Sequence, residues 1–551
     1  MLKIALLTNG NTLSKVESDL VDLAEQSNEY DVSLIIQTSL KEDKKNTLTA
    51  RFVYAITKTL YWFIKELESF LLQNNIILKN LKEFTLIKSL EIPHYTVEGA
   101  LDKNSLHFSH IEIDELKKKE IDLVVSCNFN NLKNNFHLFS RFGLLEILYG
   151  SHDLQKLKNY VTGLNEILEK NPITTFEILY NKKILLQSES FARGSIATVS
   201  MFTLNKYSIE RKAMFFLHNQ IEKLHINKML YKPLVIEPNS NLNSSPAIYQ
   251  NLHSLPPINS LIRYLFSLID YIFRRIFSKL LRFNGEWRVG FIRNPKDWKN
   301  LNFNKLNILP STPNHYYADP FLISYHGCDY CFVEDYSFSK QKGTIRAYLL
   351  NENNFVDQGI VLEEPFHLSY PNIFKIDDEI FMIPESVANN DIRLYKCINF
   401  PSEWALHKQL IKNISAVDTN IFFHENKWWM FTNIDSSDLG DYCSELHIFY
   451  ANNFDSENWQ PHSKNPVLTN ALNARNAGCV LDKSELFRAF QVQGYNFYGK
   501  SIGISKIITL TEDKYSESIV HSIQPTFIKN IHGTHHIHYA DRIMAIDFFK
   551  K

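Results

Sequence analysis

The apolar positions of this chain follow two rhythms. Before residue 230, Ile4-Ala5-Leu6-Leu7 reads as a strand, Leu13 to Gln26 has helical spacing, Val32-Ser33-Leu34-Ile35-Ile36 reads as a second strand, and Ile121 to Ser126 as a third. That alternation predicts a doubly wound α/β sheet, whose ligands would sit beyond the carboxyl ends of the strands. The turn Thr8-Asn9-Gly10-Asn11 lacks the spacing of a dinucleotide or phosphate loop. Between the second and third strands, residues 47–89 predict a helical insertion. Its Tyr54, Leu60, Trp62, Phe63, Leu67, Phe70 and Leu71 make a wide apolar stripe suited to packing or oligomer contact.

From about Trp287 the rhythm becomes strand, turn, strand, repeated five times. The phrases run from Asp319 to Glu334, Tyr370 to Glu385, Asp418 to Asn433, Asn476 to Gln491 and Gln524 to Tyr539. In each the two ends lie 15 residues apart, and successive copies begin 51, 48, 58 and 48 residues apart. A period near 50 residues is that of a propeller blade. Two apolar strands joined by a short polar turn such as Asp377-Asp378 pair antiparallel, so both ends of a phrase meet at one sheet edge. Five such sheets stacked radially gather those ends around one mouth of a central channel. Asp319, Glu334, Glu385 and Asp418 would then share that mouth with Tyr370, Asn433, Asn476, Gln491, Gln524 and Tyr539. Asp or Asn at a strand start is ordinarily a turn or capping residue. Four acids at repeat-equivalent places favour a site.

Residues 238–246 are polar and Pro/Ser/Asn-rich, which marks a linker. Beyond it, residues 258–283 predict an apolar helix carrying Arg263, Arg274, Arg275, Lys279 and Arg282 against the single acid Asp270. Two readings stay open: a helix bridging the domains with its cations at the edges, or a peripheral membrane contact on an acidic lipid surface. The expected division is therefore 1–235, then 236–286 as linker and basic helix, then 287–551.

With 59 basic and 60 acidic residues in 551, the chain has no global field for a nucleic acid, and none is expected as a partner. Phe and Tyr number 39 and 26, which suits sheet packing. Six cysteines make no disulfide framework, and Cys328-x-x-Cys331 has no second ligand pair for zinc. The opening residues are too soon polar for a signal peptide, and no apolar run is long enough to span a bilayer, so a cytoplasmic protein is expected, at most peripheral at the inner face of the membrane.

The N-terminal segments Asp122-Leu123-Val124-Val125, Arg141 to Leu145, Ile173 to Leu179 and Lys183 to Leu186 resemble the formyltransferase fold over roughly residues 1–230. That family's Asn-x-His signature falls on Glu146 and Leu148 here, and its later Asp near Asn181. A leucine can neither stabilise an oxyanion nor move a proton, so formyl transfer is expected only if Glu146 or His152 replaces the lost groups.

Tyr317-Ala318-Asp319-Pro320-Phe321, Ser369-Tyr370-Pro371, Ile383-Pro384-Glu385-Ser386 and His535 to Tyr539 resemble the propeller domain in the N-terminal part of glucosamine inositolphosphorylceramide transferases. The same domain occurs in bacterial proteins that join it to a formyltransferase-like one; more distantly it resembles five-bladed propeller glycosidases. The resemblance implies a carbohydrate-active protein, a glycosyl-transferring one in bacterial surface glycan or glycolipid synthesis, with a sugar nucleotide or glycan as partner. In the glycosidases two Asp and a Glu do the chemistry, and only Asp319, Glu385 and Asp418 hold comparable repeat positions here. Glycosidic chemistry needs one carboxylate to attack or deprotonate and another kept protonated for the leaving oxygen. Asp319 is cast as base or nucleophile, Glu385 as acid, and Asp418 as the group tuning Glu385.

Tyr317, Glu334, Tyr370, Arg475, Asn476, His536 and His538 are the expected substrate-binding residues, Tyr317 and Tyr370 as sugar-stacking faces. Strand alternation would put His536 and His538 on one face and His535 on the other. No metal and no cofactor is expected. A glycan-binding propeller without turnover, on a degenerate scaffold, and formyl or acyl transfer to an amino sugar are the alternatives.

Overall fold

The computed structural model describes residues 1–38, 48–72, 84–97, 105–106, 108–127, 133–134, 136–151, 160–181, 189–227, 255–280, 285–295, 297–352, 354–480, 485–540 and 542–551. His152, the segment 183–186 and the linker 238–246 lie outside the described residues. The chain forms two compact units, Met1–Phe273 and Arg274–Lys551, and the division falls inside the helix Ile258–Leu280.

The first unit is built on a seven-stranded mixed sheet. Its strands are β1 (Leu2–Asn9), β2 (Tyr30–Thr38), β3 (His94–Val97), β4 (Leu123–Ser126), β5 (Leu144–Tyr149), β6 (Ile173–Asn181) and β7 (Glu189–Ala197), in spatial order β7-β6-β5-β4-β1-β2-β3. The five from β3 to β5 pair in parallel, and β6 and β7 add antiparallel edges. Because successive side chains of a strand point to opposite faces, Ile4 and Leu6 enter one core while Ala5 and Leu7 enter the other. Helices α1 (Lys15–Gln26) and α4 (Phe202–Asn227) cover the first face, and α3 (His110–Lys117) contributes Ile113 and Leu116 to the second. Helix covers on both faces make the sheet doubly wound. A reciprocal capping box between Ser14 and Glu17 starts α1. The insertion forms helix α2 (Leu48–Leu71), and α5 is Ile258–Leu280.

The second unit is a five-bladed β-propeller. Blade 1 holds His315–Tyr325, Cys328–Ser337, Lys342–Leu350 and Phe355–Leu362; blade 2 holds Ser369–Ile376, Glu379–Glu385, Asp391–Asn399 and Glu403–Lys412. Blade 3 holds Ala416–His424, Lys427–Ile434 and Glu445–Ala451 with two short outer pieces; blade 4 holds Phe487–Gly494, Phe497–Leu510 and Tyr515–Ile523. In blade 5, Glu286–Arg293, from the start of the unit, pairs antiparallel with Ile543–Lys550 at its end, and this pairing closes the ring. Closure ties the first strand of the unit to the last, and each blade keeps an outer edge strand such as Phe355–Leu362 or Glu403–Lys412. Contacts run between neighbours all the way round. Phe321 packs on Tyr370, Asn372 bonds the Thr419 carbonyl, Asn476 bonds the Phe431 carbonyl, Gly478 pairs with Ile537, and the Leu322 amide donates to His538.

Two of the five phrases fold differently from expectation. Gln524–Ile528 forms no strand, and of the fifth phrase only Ile537–Ala540 enters blade 5. Pro525 has no amide to donate to a ladder, and the place beside Ile537–Ala540 that the phrase's first strand would have held is taken by Gly478–Val480. In the fourth phrase Asn476 bridges Phe490 as expected, but Gly478–Val480 then leaves to pair in parallel with Ile537–Ala540. Gly478 makes this turn possible. Its φ is +92°, and a Cβ there would lie 2.1 Å from the Ile537 carbonyl oxygen.

Candidate active site

The first three phrases start with the same backbone device. Asp319, Tyr370 and Asp418 have φ of 51°, 45° and 50°, and each sits where the ladder skips, between Ala318 and Phe321, Ser369 and Asn372, and Val417 and Asn420. A bulge inserts an unpaired residue and re-aims its side chain; Asp tolerates the left-handed region, whereas Tyr there is an outlier that its surroundings must hold. Opposite each bulge, Glu334 pairs with Ala318, Glu385 with Ser369 and Asn433 with Val417, and the Gln491 amide donates to the Arg475 carbonyl. The 15-residue spacing thus brings phrase ends together in four blades.

The polar ends divide into stitches and a charged cluster. Tyr370 is fully buried, its hydroxyl accepting from Asn420 Nδ2 at 3.0 Å and the Gly478 amide at 2.8 Å. Tyr317 is 5% exposed and its hydroxyl contacts Thr312 Oγ1. Neither offers a ring face to a sugar, because both rings are packed into the blade cores, Tyr370 at the bulge and Tyr317 just before one. Asn476 Nδ2 donates to the carbonyls of Asp418 and Phe431, and Asn433 Nδ2 to those of Glu445 and Ala474. These amides satisfy backbone oxygens where blades meet.

Asp319, Glu334, Glu385, Asp418, Arg475 and His535 form the cluster, each titrating in the field of others. Arg475 Nε donates to Asp418 Oδ2 at 2.7 Å, and its guanidinium lies over the Tyr498 ring. Asp319 Oδ1 lies 3.3 Å from His535 Nε2 and 3.4 Å from His536 Nδ1. On its far side, His535 Nδ1 lies 3.0 Å from Asp547 Oδ2, and Asp547 also accepts the backbone amides of His535 and His536. Glu334 Oε1 lies 3.4 Å from both the Tyr316 hydroxyl and His367 Nε2.

The protons sort these groups into two kinds. Burial pushes Asp319 up, but hydrogen bonding from His535 and His536 outweighs it and holds the carboxyl well below its usual range. Burial works against a charged His535 too, yet Asp547 and Asp319 carry it up to about 10. Glu385 goes the other way: burial first, then the charge of Asp418, push it up to about 8 against the pull of Arg475. Glu334 is likewise raised, by burial and by Asp319 and Glu385. Burial and Asp319 also lift Asp418, with Arg475 opposing. At neutral pH the cluster therefore holds an ionised Asp319 and a protonated Glu385.

His535 and His536 both face Asp319, which corrects the expectation that His535 points elsewhere. Residues 534–536 are not in a strand, so strict alternation does not apply to them. His538 turns to the Leu322 amide, and burial with His536's charge lowers it to about 3, so it is a neutral acceptor inside blade 1 and 5 packing. Asp547, in the closing strand, belongs to no repeated phrase and has no signal in the sequence. Asp319, His535 and Asp547 bring ligand atoms within 4.8 Å of one another. With both imidazole nitrogens facing carboxylates, the set fits an imidazolium held between two anions better than a metal ion. In the first unit, Glu146 is fully buried and accepts from Asn181 Nδ2 at 2.5 Å, while Leu148 is 9% exposed.

Residues 307–541 match the family model described as "Glucosamine inositolphosphorylceramide transferase 1, N-terminal". The match covers most of the propeller. Glucosamine inositolphosphorylceramide transferase 1 of Arabidopsis thaliana is 31% identical over 259 residues, 42% of this chain and 34% of that protein. The protein of the same name from Oryza sativa subsp. japonica is 33% identical over 210 residues, 37% of this chain and 28% of that one. The chain thus spans about a third of the length of these relatives. Among solved structures, a family 117 glycoside hydrolase of Zobellia galactanivorans aligns with a TM-score of 0.31 at 9% identity, covering 48% of this chain and 90% of that one. An alpha-L-arabinofuranosidase from Lactobacillus brevis gives 0.31 at 16%, over 41% and 79%. At such scores the structural likeness adds nothing to the pairing of the strands.

Proposed function

We propose that this chain is a carbohydrate-active protein that transfers a glycosyl group at the propeller mouth, with a glycan or glycolipid as substrate and a sugar nucleotide as donor. The observation that carries this reading is the opposite displacement of two carboxyls in one cluster, Asp319 held ionised and Glu385 held protonated. Such a pair supplies a base or nucleophile and an acid for a glycosidic bond. Asp418 and Arg475 tune Glu385 through their charges. His535, anchored by Asp547, keeps Asp319 charged and oriented. Similarity to the plant transferases over the propeller supports a carbohydrate substrate. The first unit reads as a formyltransferase-like scaffold in a bacterial, cytoplasmic protein. At the signature positions Leu148 has no group to carry a proton, and the buried Glu146 accepts from Asn181 Nδ2.

The test is incubation of the full chain with a panel of nucleotide sugars and glycan or glycolipid acceptors, following nucleotide release and product mass together. Transfer to an acceptor supports the reading. Saturable glycan binding with no product from any donor would sink it in favour of a binding propeller. That second reading draws on the stitching amides, which show how much of the mouth serves packing.

A further inference from the structure

Helices α2 and α5 each carry a second apolar face. In α2 the side turned to the domain holds Thr57, Ile64 and Glu68, all under 9% exposed. Phe52, Ile56, Phe63 and Phe70 follow one another at four and seven residues along another stripe, and they are 67%, 41%, 49% and 65% exposed. In α5 the inward side holds Leu261, Tyr264 and Leu268. Opposite it, Ile262, Phe266, Ile269 and Phe273 are 43%, 70%, 38% and 57% exposed. The two helices are neighbours: Glu68 of α2 accepts from the Tyr264 hydroxyl of α5, and both grip the amide of Phe202 at the start of α4.

From these observations we infer that the outward stripes of α2 and α5 are a lipid-binding face that seats the first unit on an anionic bilayer surface. Soluble surfaces rarely gather this many exposed Phe and Ile on adjacent helices. The chemistry around the stripes selects the occupant. Exposed charges on the described parts of the two helices are Arg51, Lys58, Arg274 and Arg263, the last lying 3.4 Å from Glu169 Oε1, against Glu66 and Asp270, and the sequence of α5 continues with Arg275 and Lys279. Trp62, 61% exposed, and Tyr54, 57% exposed, have the half-polar rings that favour the headgroup level. A cationic border on an apolar aromatic stripe complements acidic headgroups above acyl chains. No helix among the described residues is long and apolar enough to cross a membrane, so the contact is one of lying on the surface. The inference rests on α2 and α5, of which Arg274, Arg275 and Lys279 lie beyond the division at Phe273, and is independent of the propeller chemistry.

The experiment is co-sedimentation of the full chain with vesicles of phosphatidylglycerol and phosphatidylcholine in equal parts, and with phosphatidylcholine alone. Wild type is expected to sediment with the anionic vesicles at low salt and to leave them at high salt. The triple variant F63S/F266S/F273S should lose at least tenfold in apparent affinity, and R263Q/R274Q should weaken binding at moderate salt, with melts showing that both stay folded. Sedimentation of wild type and the Phe variant to the same extent overturns the inference, as does equal binding to neutral vesicles. A wild-type dimer by light scattering that the Phe variant dissolves, without vesicle binding, would assign the face to a second copy instead.

Discussion

Replacing Glu385 by Gln tests the electrostatics of the propeller mouth without assuming any substrate. The glutamine keeps the shape and most hydrogen-bonding capacity while removing the charge. In the folded chain the Glu385 carboxyl is raised to about 8 from an ordinary 4.5, by burial first and then by Asp418. A raised acid favours the proton-rich side. Below pH 4.5 both folded and unfolded chains hold the proton and nothing is lost; between 4.5 and 8 the unfolded chain ionises first, so stability falls; above 8 the penalty is constant. Each pH unit costs at most about 1.4 kcal/mol, and water reaching a side chain that is not fully buried trims the total at pH 7.5 to about 2 kcal/mol. Glu385→Gln removes that penalty. The variant should melt about 4–8 °C above wild type at pH 8 and level with it at pH 4.5. Six of the seven tryptophans lie after residue 286, so fluorescence melts from pH 4.5 to 8.5 follow the propeller. A difference that stays flat with pH, or a variant that melts earlier throughout, refutes the raised carboxyl.

Two further substitutions test the frame around the site. Gly478→Ala puts a Cβ 2.1 Å from the Ile537 carbonyl at a φ of +92°, and should cost about 3 kcal/mol or more, read as an early propeller melt; a loss under about 1 kcal/mol would mean that the crossing to blade 5 is loose. Glu68→Ala takes the carboxylate acceptor from the Thr203 amide and one of two acceptors from both the Phe202 amide and the Tyr264 hydroxyl, so about 2–4 kcal/mol should be lost from the first unit with the propeller melt unchanged; hydrogen exchange at the start of α4 that matches wild type would contradict this.

The periodicities carried much of the architecture. Alternating apolar runs placed β1, β2 and β4, and the 15-residue phrases placed the strands of blades 1, 2 and 3. Local pattern failed where pairing is distant. Glu286–Arg293 reads as an ordinary strand, and nothing near it in sequence says that its partner lies at the other end of the unit. The same distance hides Asp547, whose importance comes from His535 and Asp319 meeting it in space. The acids were legible as a set because the repeat equates their positions, but the division into stitches and charged groups was not. Tyr370 and Asn476 occupy the same phrase ends as Asp319 and Asp418, and only their partners across the blade boundaries show that they close the ring.

The central claim is that Asp319 acts as base or nucleophile and Glu385 as acid during glycosyl transfer, and it is tested most directly by turnover of wild type, Asp319→Asn and Glu385→Gln on one identified donor and acceptor, with glycan affinity measured alongside by calorimetry. Loss of about 100-fold or more in rate in both variants is the expected result, with affinity within a few-fold of wild type, Glu385→Gln melting no lower, and Asp319→Asn melting lower for want of its ion pair with His535 yet folded at the assay temperature. Folded variants that turn over at the wild-type rate would return both carboxyls to the packing of the propeller mouth.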